Sequence, residues 1–267
     1  MQWLDSHYHF DFIKDSNARY LFLQELVKEE ITIVAQTVTP SGFSLLKQSL
    51  DKLNLKPGQT PYLSLGFHPW WIESKSQADK ELAIFRKELT KSQLIGEVGL
   101  DFSVKGLEKA QENLQVYVFS EILKALTDHT EQRFILSIHA VRSASKVLDL
   151  LEEVGAPSDK ILPILHRFNG TSDELTRHRD MGGYLSVHPS MLKSKKGRAY
   201  LQQMSGDHLL LESDLPDGPQ DEWEAEEVEQ RVKDLKEMLN QTVDKLSSIR
   251  QENMAELILK TQNRLYY

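Results

Sequence analysis

The segment WLDSHYHFDF (residues 3–12) decides between two α/β folds. Its apolar opening leads into two histidines, His7 and His9, one residue apart. In an extended chain, alternate side chains share a face, so both imidazoles would point the same way and could grip one metal ion. If the chain bends into a loop, they are two polar residues and nothing more. An open doubly wound sheet places a glycine-rich turn for a dinucleotide directly after its first strand. Here histidines stand at that point. This favours the other fold built from repeated β-α units, a closed (β/α)8 barrel.

The rest of the chain supplies the repeats. Short apolar, β-branched runs predict strands at 3–7, 31–39, 62–68, 94–100, 134–139, 162–166, 183–188 and 209–214. Helical periodicity lies between them, as in NLQVYVFSEILKAL (113–126) and SASKVLDLLEEV (143–154). The interval between the sixth and seventh runs is short and predicts a stunted helix. After the eighth run, EAEEVEQRVKDLKEMLNQTVDKLSSIR (224–250) predicts a solvated helix on the outside of the domain, broken once. Consecutive βαβ crossovers build a parallel sheet, and eight strands can close it. With no domain-sized repeat, low-complexity tract or Pro/Gly-rich linker, the expectation is a single domain over residues 1–267.

Composition narrows the functions. At 267 residues and 40% hydrophobic content the chain can bury a full core. It has no cysteine, which excludes disulfides and thiolate ligands and suits a reducing compartment. No stretch approaches the roughly 20 apolar residues that span a bilayer. The opening residues are neither basic nor an apolar run, so no signal peptide and a cytoplasmic location are expected, without a membrane or an obligate protein partner. A net charge of −8 excludes a broadly basic surface tracking long duplexes. A nucleic-acid substrate would have to be met by a local basic patch or by bound metal.

The reactive residues gather at predicted strand ends. His7 and His9 end the first strand and His68 the third, and Glu97 lies in the fourth. His139 ends the fifth, His166 the sixth, His188 the seventh and Asp214 the eighth. In a barrel all strand C-termini open on one face, so these residues would converge there. Histidine and carboxylate donors without cysteine suit Zn, Mn, Fe or Mg. A pair of such ions polarises a phosphoryl or carbonyl oxygen and lowers the pKa of water, with a nearby carboxylate such as Asp214 to take the proton. His129, His178 and His208 sit in polar contexts and are expected at the surface. His188 is either a strand-end donor or part of a turn in VHPSM (187–191). Glu212, alternating with Asp214, is either its partner or a buried structural carboxylate.

Taken in order, these motifs resemble the TatD-like metal-dependent hydrolases. DSHYHFD (5–11) is similar to that family's D-[ST]-H-x-H-[LF]-D opening, LGFHPWW (65–71) to its G-x-H-P, and IGEVGLDF (95–102) to its G-E-x-G-L-D-[FY]. LHRFNGT (165–171) resembles its H-x-F-[NST]-G, LLLESDLP (209–216) its E-[ST]-D-x-P, and TQNRLYY (261–267) its N-x-x-R-L-F ending. The resemblance implies an amidohydrolase-like TIM barrel with one or two divalent ions (Mg, Mn or Zn), acting as a phosphodiesterase or exonuclease on DNA. It implies that His7 and His9 bind the first ion, Glu97 bridges the two, and His139 and His166 complete the second site. Asp214 would be ligand and general base, and His68 would face the substrate phosphate. DNA or a nucleotide would be a transient partner.

The chain also departs from the pattern. The family's H-x-R after the fifth strand is H-x-x-R in SIHAVRSASK (137–146), which displaces Arg142 as a substrate contact. The basic family loop after the last strand is replaced by the acidic DGPQDEWEAEE (217–227). In QVYVFSEI (115–122), Gln115 and Phe119 resemble a family helix motif, with Ile122 in place of its second glutamine. Cations return in MLKSKKGR (191–198), where Lys193, Lys195, Lys196 and Arg198 are either phosphate contacts or solvated at a helix start. Trp70 and Trp71 would stack on a base or cap the barrel rim. The acidic loop leaves room for a small amide, lactone or phosphoester as substrate. A non-catalytic protein on the same barrel would need a broken donor set, and every matched donor is present.

Overall fold

The computed structural model describes residues 2–129, 131–220 and 223–267. Strands and helices alternate: β1 (Trp3–Tyr8), α1 (Ser16–Lys28), β2 (Ile31–Gln36), α2 (Pro40–Asp51), β3 (Tyr62–Phe67), α3 (Lys75–Leu89), β4 (Leu94–Asp101) and α4 (Val104–Lys109). Next come α5 (Glu112–Thr127), β5 (Phe134–Val141), α6 (Ala144–Glu153), β6 (Ile161–His166), α7 (Ser172–Asp180) and β7 (Tyr184–Val187). The chain finishes with α8 (Pro189–Lys193), α9 (Lys195–Gln203), β8 (Leu209–Leu211), α10 (Ala225–Arg250) and α11 (Met254–Tyr266). The strands follow in chain order around a closed barrel, the (β/α)8 fold that the opening histidines favoured. Parallel strands covered on both faces read as near-continuous apolar runs, which is why all eight were visible.

Contacts group the residues into two compact units. The first comprises Met1–Gln36, Leu45–Leu63 and Ser186–Tyr267, and the second Thr37–Ser44 and Ser64–Leu185. In the first, β1 pairs in parallel with β2 and with β8. Helix α10 buries Val228, Val232, Leu235, Leu239, Val243 and Leu246, one stripe at helical spacing, and packs on α1. Lys236 and Glu29 pair across that contact, Nζ to Oε2 at 2.8 Å. In the second unit β3 pairs in parallel with β4, β4 with β5 and β5 with β6, the register shifting between Leu65 and Phe67 and between Ile95 and Val98, and α6 buries Ala144, Val147, Leu148 and Leu151.

Four local expectations need correction. Residues 225–250 form one unbroken helix, and the chain turns only at Gln251, in the left-handed region. Helix α7 is nine residues long and complete, because Thr171 and Glu174 exchange side-chain to backbone bonds in a capping box at its start. Strands β2, β3, β7 and β8 end earlier than the apolar runs, so His68, His188 and Asp214 follow their strands, whereas β5 continues past His139 to Val141. His178 is not a surface residue. It is fully buried, its Nε2 lies 2.8 Å from the Tyr184 carbonyl, and a Cβ on Gly183 would come within 2.0 Å of its ring. His129 and His208 are half-buried. Among the described residues no helix is long and apolar enough to cross a membrane.

Candidate metal centre

In the first unit, the end of β1 and the segment after β8 are tied by their backbones. Asp214 N–H donates to the His7 carbonyl at 3.0 Å, and His9 N–H donates to the Leu215 carbonyl at 2.7 Å. Asp5, buried beneath, reinforces this: Oδ1 accepts from His7 N–H and Ser213 N–H, both at 3.1 Å, and Oδ2 accepts from Ser213 Oγ–H at 2.5 Å. Burial pushes the Asp5 carboxyl up to about 7, against the lowering effect of those bonds. Asp214 adopts φ +58°, a left-handed conformation that a short polar residue tolerates. Its Oδ1 lies 3.6 Å from His7 Nε2 and 3.4 Å from His9 Nε2.

Both readings of the opening histidines hold a part of the truth. His7 lies within β1, and the chain bends at His9 into a 3-10 turn over Phe10–Phe12, yet both rings address one carboxylate oxygen. His9 stacks on Phe12 with centroids 4.8 Å apart, which fixes its ring. Glu212 is fully buried and accepts from Ser186 Oγ–H at 2.5 Å.

The second unit builds a tighter cluster on Glu97, which is 2% exposed within β4. Its Oε1 lies 2.7 Å from His139 Nδ1, 2.8 Å from His166 Nε2 and 3.4 Å from His68 Nε2. His139 Nδ1 and His166 Nε2 are 3.2 Å apart. His68 caps a 3-10 turn over Pro69–Trp71, its Nδ1 accepting from Trp70 N–H at 3.0 Å. With Nδ1 used as an acceptor, the neutral ring carries its proton on Nε2, so His68 donates towards the cluster rather than ligating. His139 is pushed up to about 9: burial opposes its charge, and its bonds to Asp101 and Glu97 outweigh that. Burial likewise opposes ionisation of Asp101, but His139 and Ser103 hold its carboxyl well below the usual range.

The donors suit a divalent ion. The triad His7, His9, Asp214 offers ligand atoms within 4.8 Å of one another, and Glu97, His139 and His166 offer three within 3.2 Å, all nitrogen or oxygen. Donors bound at about 2.1 Å around one ion stand roughly 3.0 to 3.5 Å apart. The 3.2 Å between His139 and His166, and the 3.4 and 3.6 Å from Asp214 to the histidines, fall at or close to that spacing.

The residues expected at the substrate divide. Arg142 follows β5 with φ +54° and is exposed, as are Lys193 and Lys195. Arg198 is committed elsewhere, its Nη1 donating to the Leu192 and Lys193 carbonyls at 3.1 Å each. Trp70, 37% exposed, gives its indole N–H to Asp101 Oδ2 at 2.7 Å, a role neither stacking nor capping described. His188 caps α8, its Nδ1 accepting from Ser190 N–H at 3.2 Å. Asp221 and Glu222 of the acidic segment lie outside the described residues. Sequence reasoning gave Asp101 no role, although it stands in the same GEVGLD run as Glu97.

Comparison with known proteins agrees with this architecture. The family model described as TatD related DNase matches residues 4–259. A human protein, Deoxyribonuclease TATDN3, is 26% identical over 225 residues, which span 80% of this chain and 77% of the human one. Among solved structures, YJJV, a TatD homolog from Escherichia coli K12, superposes with a TM-score of 0.76 at 22% identity, covering 99% of this chain and 96% of that one. A TatD family hydrolase from Entamoeba histolytica gives 0.71 at 17% identity, covering 98% and 96%. At these identities the two structures show a common fold.

Proposed function

The chain belongs to the TatD related DNase family, and from that premise we propose that it cleaves DNA or nucleotide phosphodiesters with one or two divalent ions, Mg, Mn or Zn. The observation that carries the reading is the convergence of three imidazole nitrogens on Glu97 Oε1, at 2.7, 2.8 and 3.4 Å. A buried carboxylate among imidazoles is a poor apolar core and a good cation site. Glu97, His139 and His166 would hold an ion in the second unit, and His7, His9 and Asp214 would hold one in the first. A divalent ion there supplies Lewis acidity towards a phosphoryl oxygen and lowers the pKa of water.

The chain's own groups do the rest. Asp214 follows its strand with a side chain 15% exposed, so it can meet water and take a proton from it. His68, with its proton on Nε2, donates to a phosphate oxygen as charge develops there. Arg142, Lys193 and Lys195 are exposed cations available to flanking phosphates. The relative named a deoxyribonuclease favours DNA as the substrate class.

The test is cleavage of end-labelled single-stranded DNA by the Mn- or Mg-loaded protein, with the Asp214→Ala variant as control. Ladder formation by the wild type alone supports the reading. No cleavage above the control sinks it, and turnover of a small ester or amide with DNA spared reassigns the substrate.

A further inference from the structure

Asp101 ends β4 with 1% exposure, and the donor set described above gives it no task. Yet both its side chain and its backbone are held by buried or partly buried partners. Oδ1 accepts from Ser103 N–H at 2.8 Å, and Oδ2 accepts from Trp70 Nε1–H at 2.7 Å. Gln115, fully buried on α5, clamps its backbone: Oε1 accepts from Asp101 N–H at 2.7 Å, and Nε2 donates to the Asp101 carbonyl at 2.9 Å. Gly106 lies so close that a Cβ there would stand 2.6 Å from both Cγ and Oδ1 of Asp101, which only glycine avoids. The carboxylate is immobilised from several sides.

What it addresses is His139. Oδ2 lies 3.1 Å from His139 Nε2, while Nδ1 of the same ring lies 2.7 Å from Glu97 Oε1 and 3.2 Å from His166 Nε2. An imidazole ligates through one nitrogen and keeps its proton on the other, and the hydrogen bond made by the second nitrogen decides which is which. We propose that Asp101 is a positioning residue for metal binding: it holds the proton on His139 Nε2 and so commits Nδ1 of that ring to the ion. Trp70 fixes the accepting oxygen from the other side. This rests on the reading that the Glu97 cluster takes a divalent cation. It also explains why an amide should not serve at position 101. The Ser103 N–H, Trp70 Nε1–H and His139 Nε2–H all need an acceptor, and an asparagine offers one accepting oxygen in place of two.

The experiment strips the protein with a chelator and titrates it with Mn²⁺ alone by calorimetry, alongside Asp101→Asn and Trp70→Phe. The Asp101→Asn protein should keep the wild-type circular dichroism and bind Mn²⁺ about 10- to 100-fold more weakly. Trp70→Phe removes one donor but leaves the His139 contact, and should weaken binding by less than about tenfold. A folded Asp101→Asn protein that binds Mn²⁺ as tightly as the wild type overturns the proposal. Should that variant fail to fold, ring ¹H–¹⁵N NMR of the Zn²⁺-loaded wild type decides. A slowly exchanging proton on His139 Nε2 supports the assignment, and a proton on Nδ1 overturns it. A wild type that binds neither ion defeats the metal reading itself, a result distinct from a tight-binding variant, and takes the proposal with it.

Discussion

Glu97 and Asp214 are both carboxylates set among imidazoles, and their surroundings differ in kind. Glu97 sits inside a strand, 2% exposed, with two imidazole nitrogens at 2.7 and 2.8 Å. Asp214 lies three residues past the last residue of β8, Leu211, in a left-handed conformation, with its nearest imidazole nitrogens at 3.4 and 3.6 Å. A buried carboxylate on a strand, with imidazole nitrogens at 2.7 and 2.8 Å, serves a fixed, preorganised cation site. A carboxylate on a loop, 15% exposed, can reach water and exchange a proton with it. The contrast separates a carboxylate that only holds an ion from one that also meets water and moves a proton, although both offer the same functional group.

The largest effect tests the holding role. Glu97→Gln removes the charge from the centre of its cluster and leaves three imidazoles facing an amide. Metal content measured by mass spectrometry should fall by at least one ion per chain, and DNA cleavage should drop by more than the ~100-fold expected when only an outer partner is lost. Asp214→Asn comes next. It keeps the shape and loses the base, so cleavage should fall by about 10²- to 10⁴-fold. The ion held on Glu97 should remain. Loss of the Glu97-held ion in Asp214→Asn as well would erase the contrast, because the two carboxylates would then serve one inseparable site.

The contrast was only partly legible in the sequence. Apolar runs covered on both faces gave away all eight strands, and the reactive residues stood at or near their ends. What the sequence did not reveal was how each donor is propped. Asp5 takes backbone bonds from His7 and from Ser213, two residues far apart in the chain, and no local pattern signals such a pairing. Asp101 and Gln115 are 14 positions apart, and their mutual clamp exists only once β4 and α5 are packed. His178 looked like a surface residue because its neighbours are charged, yet the α7 periodicity turns it inwards with Leu175. Arg198 looked like a free cation because a sequence does not show backbone carbonyls left over at a helix end.

A smaller change sharpens the comparison from the side of the substrate. His68→Ala removes the Nε2–H donor near Glu97 without removing a ligand. Cleavage should fall by roughly 10- to 100-fold, through kcat more than KM, with metal content unchanged. Loss of an ion in this variant would place His68 among the holders, against the tautomer that its bond from Trp70 N–H imposes.

The smallest effect concerns how Asp214 is held. Ser213→Ala removes the hydroxyl that donates to Asp5 Oδ2, leaving a buried carboxylate with its two backbone donors on Oδ1. An under-satisfied buried acceptor costs about 1–3 kcal/mol, so the urea midpoint should fall accordingly. The rungs from Asp214 N–H to the His7 carbonyl and from His9 N–H to the Leu215 carbonyl survive the change. They should keep the Asp214 carboxylate near the histidines, so cleavage should fall far less than the ~100-fold that a 1 Å misplacement brings. Ser213→Thr keeps a hydroxyl and should recover part of the lost stability. If Ser213→Ala instead matches Asp214→Asn in activity, the Asp5 contact rather than the backbone rungs sets the position of the base.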